Sequence, residues 1–345
     1  MPLFLINEPE KLQHLGWSSF VASHPKGTVF QSPEMFELFQ KTSKMKPVVI
    51  GINDPEAGSL KGILLGVIIR ELNGLAGYFS SRTVIYGGPL IDPGASDRQE
   101  ILEMILDGLI SEVKKQSVFI QFRNFSIQEE NKAIFSENDF VLRDRLNLIV
   151  DTSSQEIIKR NMSPSRFRQI KKGLGHGANC IEPENLGQVR EFYQILVNLY
   201  KHKVKKPLPP WNFFEQFYLI SKEGKLGMIR LVKYQGKIIG GILSPVSPGK
   251  TIYEWYVCGL DQQYREVYPS VLATWAALDY AVKNNIPSFD FMGVGLPERE
   301  YGVREFKSRF GGEMVNFGRF ARVNNKIVYT AAEAGYNFLA LLKKI

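Results

Sequence analysis

Short apolar runs closed by glycine, proline or Asn-Asp turns alternate along this chain with stretches in which apolar residues recur every three or four positions. The first pattern predicts strands and the second predicts helices. In the first half, strands are expected over 3–6, 48–50, 62–72, 84–86, 118–122 and 146–150. Helices are expected from Pro9, from Pro33, over 96–115 and over 129–137. Ser32 before Pro33 reads as a helix start: a hydroxyl cap, then a residue whose missing N–H costs nothing in the first turn. In 96–115 the residues Ile101, Ile105, Leu109 and Val113 form one apolar stripe.

The second half repeats that grammar. Helices are expected over 154–160, 163–172, 186–203, 212–221 and 270–284, and strands over 228–234, 237–245, 251–257 and 289–292. Gln235-Gly236 joins two of the strands, Pro207-Leu208-Pro209-Pro210 is a stiff connector, and 331–344 reads as an amphipathic terminal helix. The mixed order predicts an α/β (α+β) protein with two related domains, 1–150 and 151–330, the terminal helix packing on the first. Strand 251–257 is unusually aromatic. Tyr253, Trp255 and Tyr256 cannot share one face, because strand neighbours alternate. At least one must be core, and Trp255 and Tyr256 are the candidates for substrate contact.

Composition narrows the class. With 44% hydrophobic and 23% charged residues, the chain is that of a folded globular protein. It has no apolar run near the roughly 20 residues of a membrane span, and its N-terminus does not resemble a secretion signal, so a cytosolic location is expected. Two cysteines and four histidines offer neither a disulfide framework, a metal cluster nor a recognisable nucleophile-base arrangement. The net charge of +8 points to an anionic partner: a phosphorylated precursor, a nucleic acid, or a membrane surface approached peripherally. The basic residues gather at Arg160, Arg166, Arg168, Lys171 and Lys172, and again at Lys201, Lys203, Lys205 and Lys206.

The candidate site is the stretch Phe289-Asp290-Phe291-Met292-Gly293-Val294-Gly295 followed by Phe306-Lys307-Ser308-Arg309-Phe310-Gly311-Gly312. Here an acid ends an apolar strand, glycines allow close backbone approach, and a lysine and an arginine suit a phosphate-bearing ligand. The turn 261–268 feeds a second possible anion site, the N-terminus of helix 270–284. That turn has no glycine after Gly259, whereas acyl-CoA transferases of the GNAT type use a glycine-rich loop there for the CoA pyrophosphate.

These motifs, with the basic run Arg166-Phe167-Arg168-Gln169-Ile170-Lys171-Lys172 and the stretch 192–214, resemble the Fem-type peptidoglycan-bridge aminoacyltransferases and the broader acyltransferase group sharing their fold. The resemblance covers most of 155–320. It implies tandem GNAT-like domains with an inter-domain cleft, and an enzyme that moves an aminoacyl group from charged tRNA, or another acyl group, to an amine of a cell-wall precursor. It places Phe306 and Lys307 at the donor end. It makes Arg166, Lys171 and Arg309 substrate contacts, and it sets His202 and Lys203 where the family carries an arginine for substrate phosphates. The long helical hairpin of some members is missing between 200 and 226.

An activated donor requires no covalent nucleophile. Attack by an amine requires positioning, stabilisation of the developing oxyanion and a base; Lys307 is the candidate either for the oxyanion or for holding the donor phosphate. For the base, Glu254 and Asp290 both stand open. Lys307→Ala is expected to abolish transfer with the fold intact. No cofactor is expected beyond the donor, aminoacyl-tRNA or acyl-CoA. The rival readings are an N-acyltransferase using acyl-CoA or acyl-carrier protein in polysaccharide or lipid modification, and a non-catalytic nucleic-acid binder. The basic clusters lack the interleaved aromatics of a single-strand platform, which ranks the binder last.

Overall fold

Two sheets organise the chain, one in each of two units: 1–144 together with 317–345, and 145–316. The computed structural model describes residues 3–330 except 57, 75 and 299–301, so the expected helix 331–344 lies outside the described residues. In the first unit the strand order is Phe4–Ile6, Met45–Asp54, Ser59–Ile69, Arg82–Tyr86, Phe119–Arg123, Arg319–Val323, Val141–Arg143. In the second it is Asn179–Ile181, Gly227–Tyr234, Lys237–Ser247, Thr251–Tyr253, Ser288–Asp290, Leu146–Asp151, Glu313–Asn316, taken from the opposite chain end of the sheet path.

Position for position the two orders agree. Each has one parallel pair among the described strands, Arg82–Tyr86 with Phe119–Arg123 and Thr251–Tyr253 with Ser288–Asp290. Parallel neighbours require a crossover, and each crossover carries one long helix, Arg98–Val113 or Pro269–Lys283. The expected two halves of one design are therefore present, with different boundaries. Strand Leu146–Asp151, placed by sequence order in the first domain, belongs to the second sheet. Strand Arg319–Val323, placed in the second domain, belongs to the first.

The predicted stripe Ile101, Ile105, Leu109 and Val113 is fully buried against the first sheet. At about 1.5–3 kcal/mol per side chain, that burial outweighs the marginal stability of an isolated helix of this length. In the second unit, Val271, Leu272, Ala273, Ala277, Leu278 and Ala281 of helix Pro269–Lys283 pack on Ile252, Phe289, Leu148 and Val150. The Gln235-Gly236 hairpin forms as expected, with φ of 49° and 79°, the left-handed pair whose twist matches that of the strands. Ser32 caps its helix, accepting a hydrogen bond from the Met35 N–H at 3.2 Å.

Two elements depart from expectation. The aromatic strand 251–257 is interrupted at Glu254-Trp255, forming Thr251–Tyr253 and Tyr256–Gly259. The charged stretch before Phe306 forms a short helix, Gly302–Ser308. Both cysteines are free; burial pushes the Cys180 thiol up to about 11 and raises the Cys258 thiol as well, which leaves both poor nucleophiles. No helix among the described residues is long and apolar enough to cross a membrane.

Candidate active site

The site lies where two parallel strands of the second unit part. Tyr253 pairs with Asp290, and the Glu254 N–H still donates to the Asp290 carbonyl at 2.9 Å. Beyond that point Tyr256–Gly259 joins strand Lys237–Ser247, with Tyr256 opposite Leu243. The other strand leans away: the Phe291 N–H donates to Leu148 O at 3.0 Å and the Val294 N–H to Leu146 O at 2.9 Å. The interruption at Glu254 is the point of separation.

The Lys307 ammonium occupies the mouth of that gap. Its Nζ lies 2.9 Å from Glu254 Oε1, and it donates to Phe291 O at 2.9 Å and to Gly293 O at 3.3 Å. All three ammonium protons thus have acceptors. The carboxylate is the deeper partner, with side-chain exposure of 3% against 11% for the lysine. Glu254 Oε2 accepts from Thr274 Oγ1 at 3.4 Å, which ties the pair to helix Pro269–Lys283.

A tight turn sets the two carbonyls. Met292 has φ of 60°, unusual for a side chain of this size, and the Gly293 N–H donates to Phe291 O at 2.8 Å, closing a γ-turn of the rarer, positive-φ hand. Asp290 holds it. Its Oδ1 accepts from the Met292 N–H at 2.6 Å, and its two oxygens accept from Asn147 Nδ2 at 3.1 and 3.0 Å. Burial pushes the Asp290 carboxyl up to about 6, a rise held in check by the Met292 and Asn147 hydrogen bonds and the nearby Lys307 charge.

The two candidate bases therefore have different surroundings. Glu254 touches Lys307. Asp290 caps a turn, while Arg304 donates to Val294 O at 2.9 Å and Pro297 O at 3.3 Å.

Residues 233–337, which supply Glu254, Asp290 and Lys307, match the model of the FemAB family. The Fem-type resemblance holds. The crystal structure of FemX matches with a TM-score of 0.70 at 14% identity, over 96% of this chain and 99% of that one. A tandem GNAT protein from the clavulanic acid biosynthesis pathway matches with a TM-score of 0.57 at 10% identity, over 94% and 99% of the two chains. L-PGS from Bacillus licheniformis matches at 0.56 and 12% identity, over 94% and 96%. At these identities the matches establish the fold, tandem GNAT-like domains, as the resemblance implied. No curated protein sequence matches the chain. The expectation of an acyltransferase agrees with the FemAB match.

The other residues expected at the Fem-type site are distributed unevenly around Lys307. Phe306 is half-buried, its ring 5.7 Å from that of Phe310. Arg166, expected as a substrate contact, is buried at 3% exposure, with its guanidinium 4.3 Å from the Phe306 ring and 4.5 Å from the Phe310 ring. Arg309 is exposed and pairs with Glu305 at 2.5 Å. Lys171 is exposed over the ring of Phe167.

Tyr253 is the core member of the aromatic trio. Trp255 and Tyr256 stack on each other at 5.8 Å, which the broken strand permits, and both rest on Phe213. His202 and Lys203 lie in the exposed π-type turn Tyr200–Val204 that ends helix Leu186–Leu199. Neither is among the partners of Lys307 Nζ, which are Glu254, Phe291 O and Gly293 O. Sequence reasoning missed Asn147 and Thr274. Asn147 stands far away in the chain and carries no motif, whereas Thr274 was a lone polar residue in an alanine-rich helix face, a weak but readable signal.

The double glycine is structural. Gly311 has φ of 86° and a Cβ there would lie 2.7 Å from Asn161 O; Gly312 has φ of 105° and its Cβ would lie 2.5 Å from Ile149 O. These glycines let the segment after Lys307 press against two backbones. The N-terminus of helix Pro269–Lys283, the other anion site considered, already holds a carboxylate: Asp261 Oδ1 accepts from the Ser270 N–H at 3.1 Å and from Ser270 Oγ at 2.9 Å. A Cβ on Gly259 would lie 2.3 Å from Ser270 N, so the backbone closes on the helix there.

Proposed function

We propose that this chain is a Fem-type acyltransferase that moves an aminoacyl group from charged tRNA, or an acyl group from a similar oxygen-ester donor, to an amine of a cell-envelope precursor. The observation that carries the reading is the buried Lys307–Glu254 pair at the parting of two strands, inside the segment that matches the FemAB family. Attack of the amine on the donor ester forms a C–N bond and places negative charge on the carbonyl oxygen. That charge then expels the donor oxygen, which leaves with the amine's proton. An ammonium fixed in a dry site stabilises such an oxygen far better than one in water. Of the three bonds made by Lys307, the 3.3 Å one to Gly293 O is the weakest and is the one an oxyanion displaces. Glu254 keeps the ammonium aimed. Asp290, bound to Asn147 and the Met292 N–H, holds the turn that supplies the carbonyls.

The Asp261 carboxylate favours this reading over acyl-CoA chemistry at helix Pro269–Lys283, since it takes the N–H that a pyrophosphate would use and repels a second anion. The test is to incubate the purified chain with aminoacyl-tRNA, acyl-CoA or acyl-carrier protein and follow acylation of amine-bearing envelope precursors. The reading expects acylation from aminoacyl-tRNA. Acylation from acyl-CoA alone would replace it with the rival N-acyltransferase.

A further inference from the structure

Arg166 is the most unusual buried charge in the second unit. Its guanidinium lies between two phenyl rings, donates from Nη2 to Phe306 O at 2.7 Å and from Nη1 to Gln169 Oε1 at 2.7 Å, and leaves Nε without a partner. Among the described residues no carboxylate forms an ion pair with it. Burial and the like charge of Arg309 depress it to about 10. A leucine would fill the same space without the cost of removing a cation from water. What arginine adds is direction: a flat cation that stacks on rings and donates along fixed lines.

Those lines end on the backbone next to Lys307. Phe306 O is in the last turn of helix Gly302–Ser308, where carbonyls lose their helical partners. The Phe310 N–H, four residues on, donates to Lys307 O instead, at 2.9 Å. Arg166 supplies the missing donor. The segment that carries Arg166 is tied to the same turn twice more, by the Ser163 N–H donating to Arg309 O at 3.0 Å and by the close approach of Gly311 to Asn161 O. Phe306 thus faces Arg166 while its neighbour Lys307 reaches Glu254 and the turn carbonyls.

We infer that Arg166 is a positioning residue for the transfer reaction: through the Phe306 carbonyl and the Phe306 and Phe310 rings it fixes the helix end that presents Lys307 to Glu254 and the turn carbonyls. It does not contact substrate. The inference rests on the function proposed above for Lys307.

The experiment compares wild type, Arg166→Met and Arg166→Lys, with Leu278→Ala as a control for loss of core packing. Two readouts are taken: steady-state transfer, and the 15Nζ–1H resonance of the Lys307 ammonium in lysine-labelled protein. Arg166→Met is expected to lower kcat about tenfold or more while KM stays within about twofold, as a displaced catalytic group does. It is also expected to shift or broaden the Lys307 resonance. Arg166→Lys, which retains a charge and one donor, should recover part of both effects, and Leu278→Ala should leave the resonance in place. If Arg166→Met does not fold, Arg166→Lys against Leu278→Ala decides by the same resonance. An unmoved Lys307 resonance in the Arg166 variants, or a rise in KM alone, overturns the inference. A wild type that transfers from no donor sinks the proposed function, while the resonance still reports on positioning.

Discussion

Lys307 Nζ stands 2.9 Å from Glu254 Oε1, with both side chains almost wholly removed from solvent. Breaking one side of such a pair strands a buried charge, at about 3–5 kcal/mol. Lys307→Ala is therefore expected to lose stability as well as transfer, contrary to the simple expectation of an intact fold. Glu254→Gln combined with Lys307→Met removes both charges and should cost clearly less than the sum of the single changes. Urea denaturation of the four proteins measures the coupling; additive losses would mean that the pair contributes no mutual stabilisation.

Asp290 makes stability depend on pH in a specific direction. Its folded pKa, about 6, lies above the ordinary aspartate value of 3.8. Between those values the folded state binds the proton first, so this group's contribution is fully present below about pH 4 and is lost as pH rises through 6. The stability of wild type relative to Asp290→Asn should therefore improve by about 3 kcal/mol between pH 8 and pH 4. Denaturant titrations across that range check it, and a difference moving the other way would mean that the carboxylate is stabilised in the fold.

Gly311→Ala and Gly312→Ala are each expected to destabilise by about 1–3 kcal/mol from backbone strain alone, with steric overlap added. The φ values of 86° and 105° and the neighbouring Asn161 and Ile149 carbonyls are the cause. Melting temperatures test this; a neutral Gly312→Ala would show that the segment has room to relax.

Binding of aminoacyl-tRNA should weaken steeply with salt, and replacing the exposed Lys201 and Lys203 by serine should lower the slope of log K against log salt by about one to two. Filter binding from low to physiological salt reads it. A slope unchanged by the substitutions would remove this turn from the tRNA surface.

Local features were legible in the sequence. Ser32-Pro33, Gln235-Gly236, the Ile101 stripe and the Phe306-Lys307 motif each depend on neighbouring residues, and the structure contains each as an element or contact. What was not legible depends on distant pairing. Leu146–Asp151 and Arg319–Val323 each enter the sheet opposite to that expected from chain order, and local periodicity carries no information about such a choice. Asn147 reaches Asp290 across that pairing and so was hidden with it. The break at Glu254 was masked because Tyr253, Trp255 and Tyr256 all favour strands. Arg166, expected as a substrate contact, is instead buried between Phe306 and Phe310, an outcome decided by tertiary packing.

The central claim is that the Lys307–Glu254 pair is the centre of an acyl transfer. Its most direct test is single-turnover transfer from aminoacyl-tRNA to an amine-bearing envelope precursor, comparing wild type with the charge-neutral variant Glu254→Gln/Lys307→Met. The account predicts transfer by wild type and a loss of about a hundredfold or more in the folded double variant. A folded double variant that transfers at the wild-type rate would contradict it.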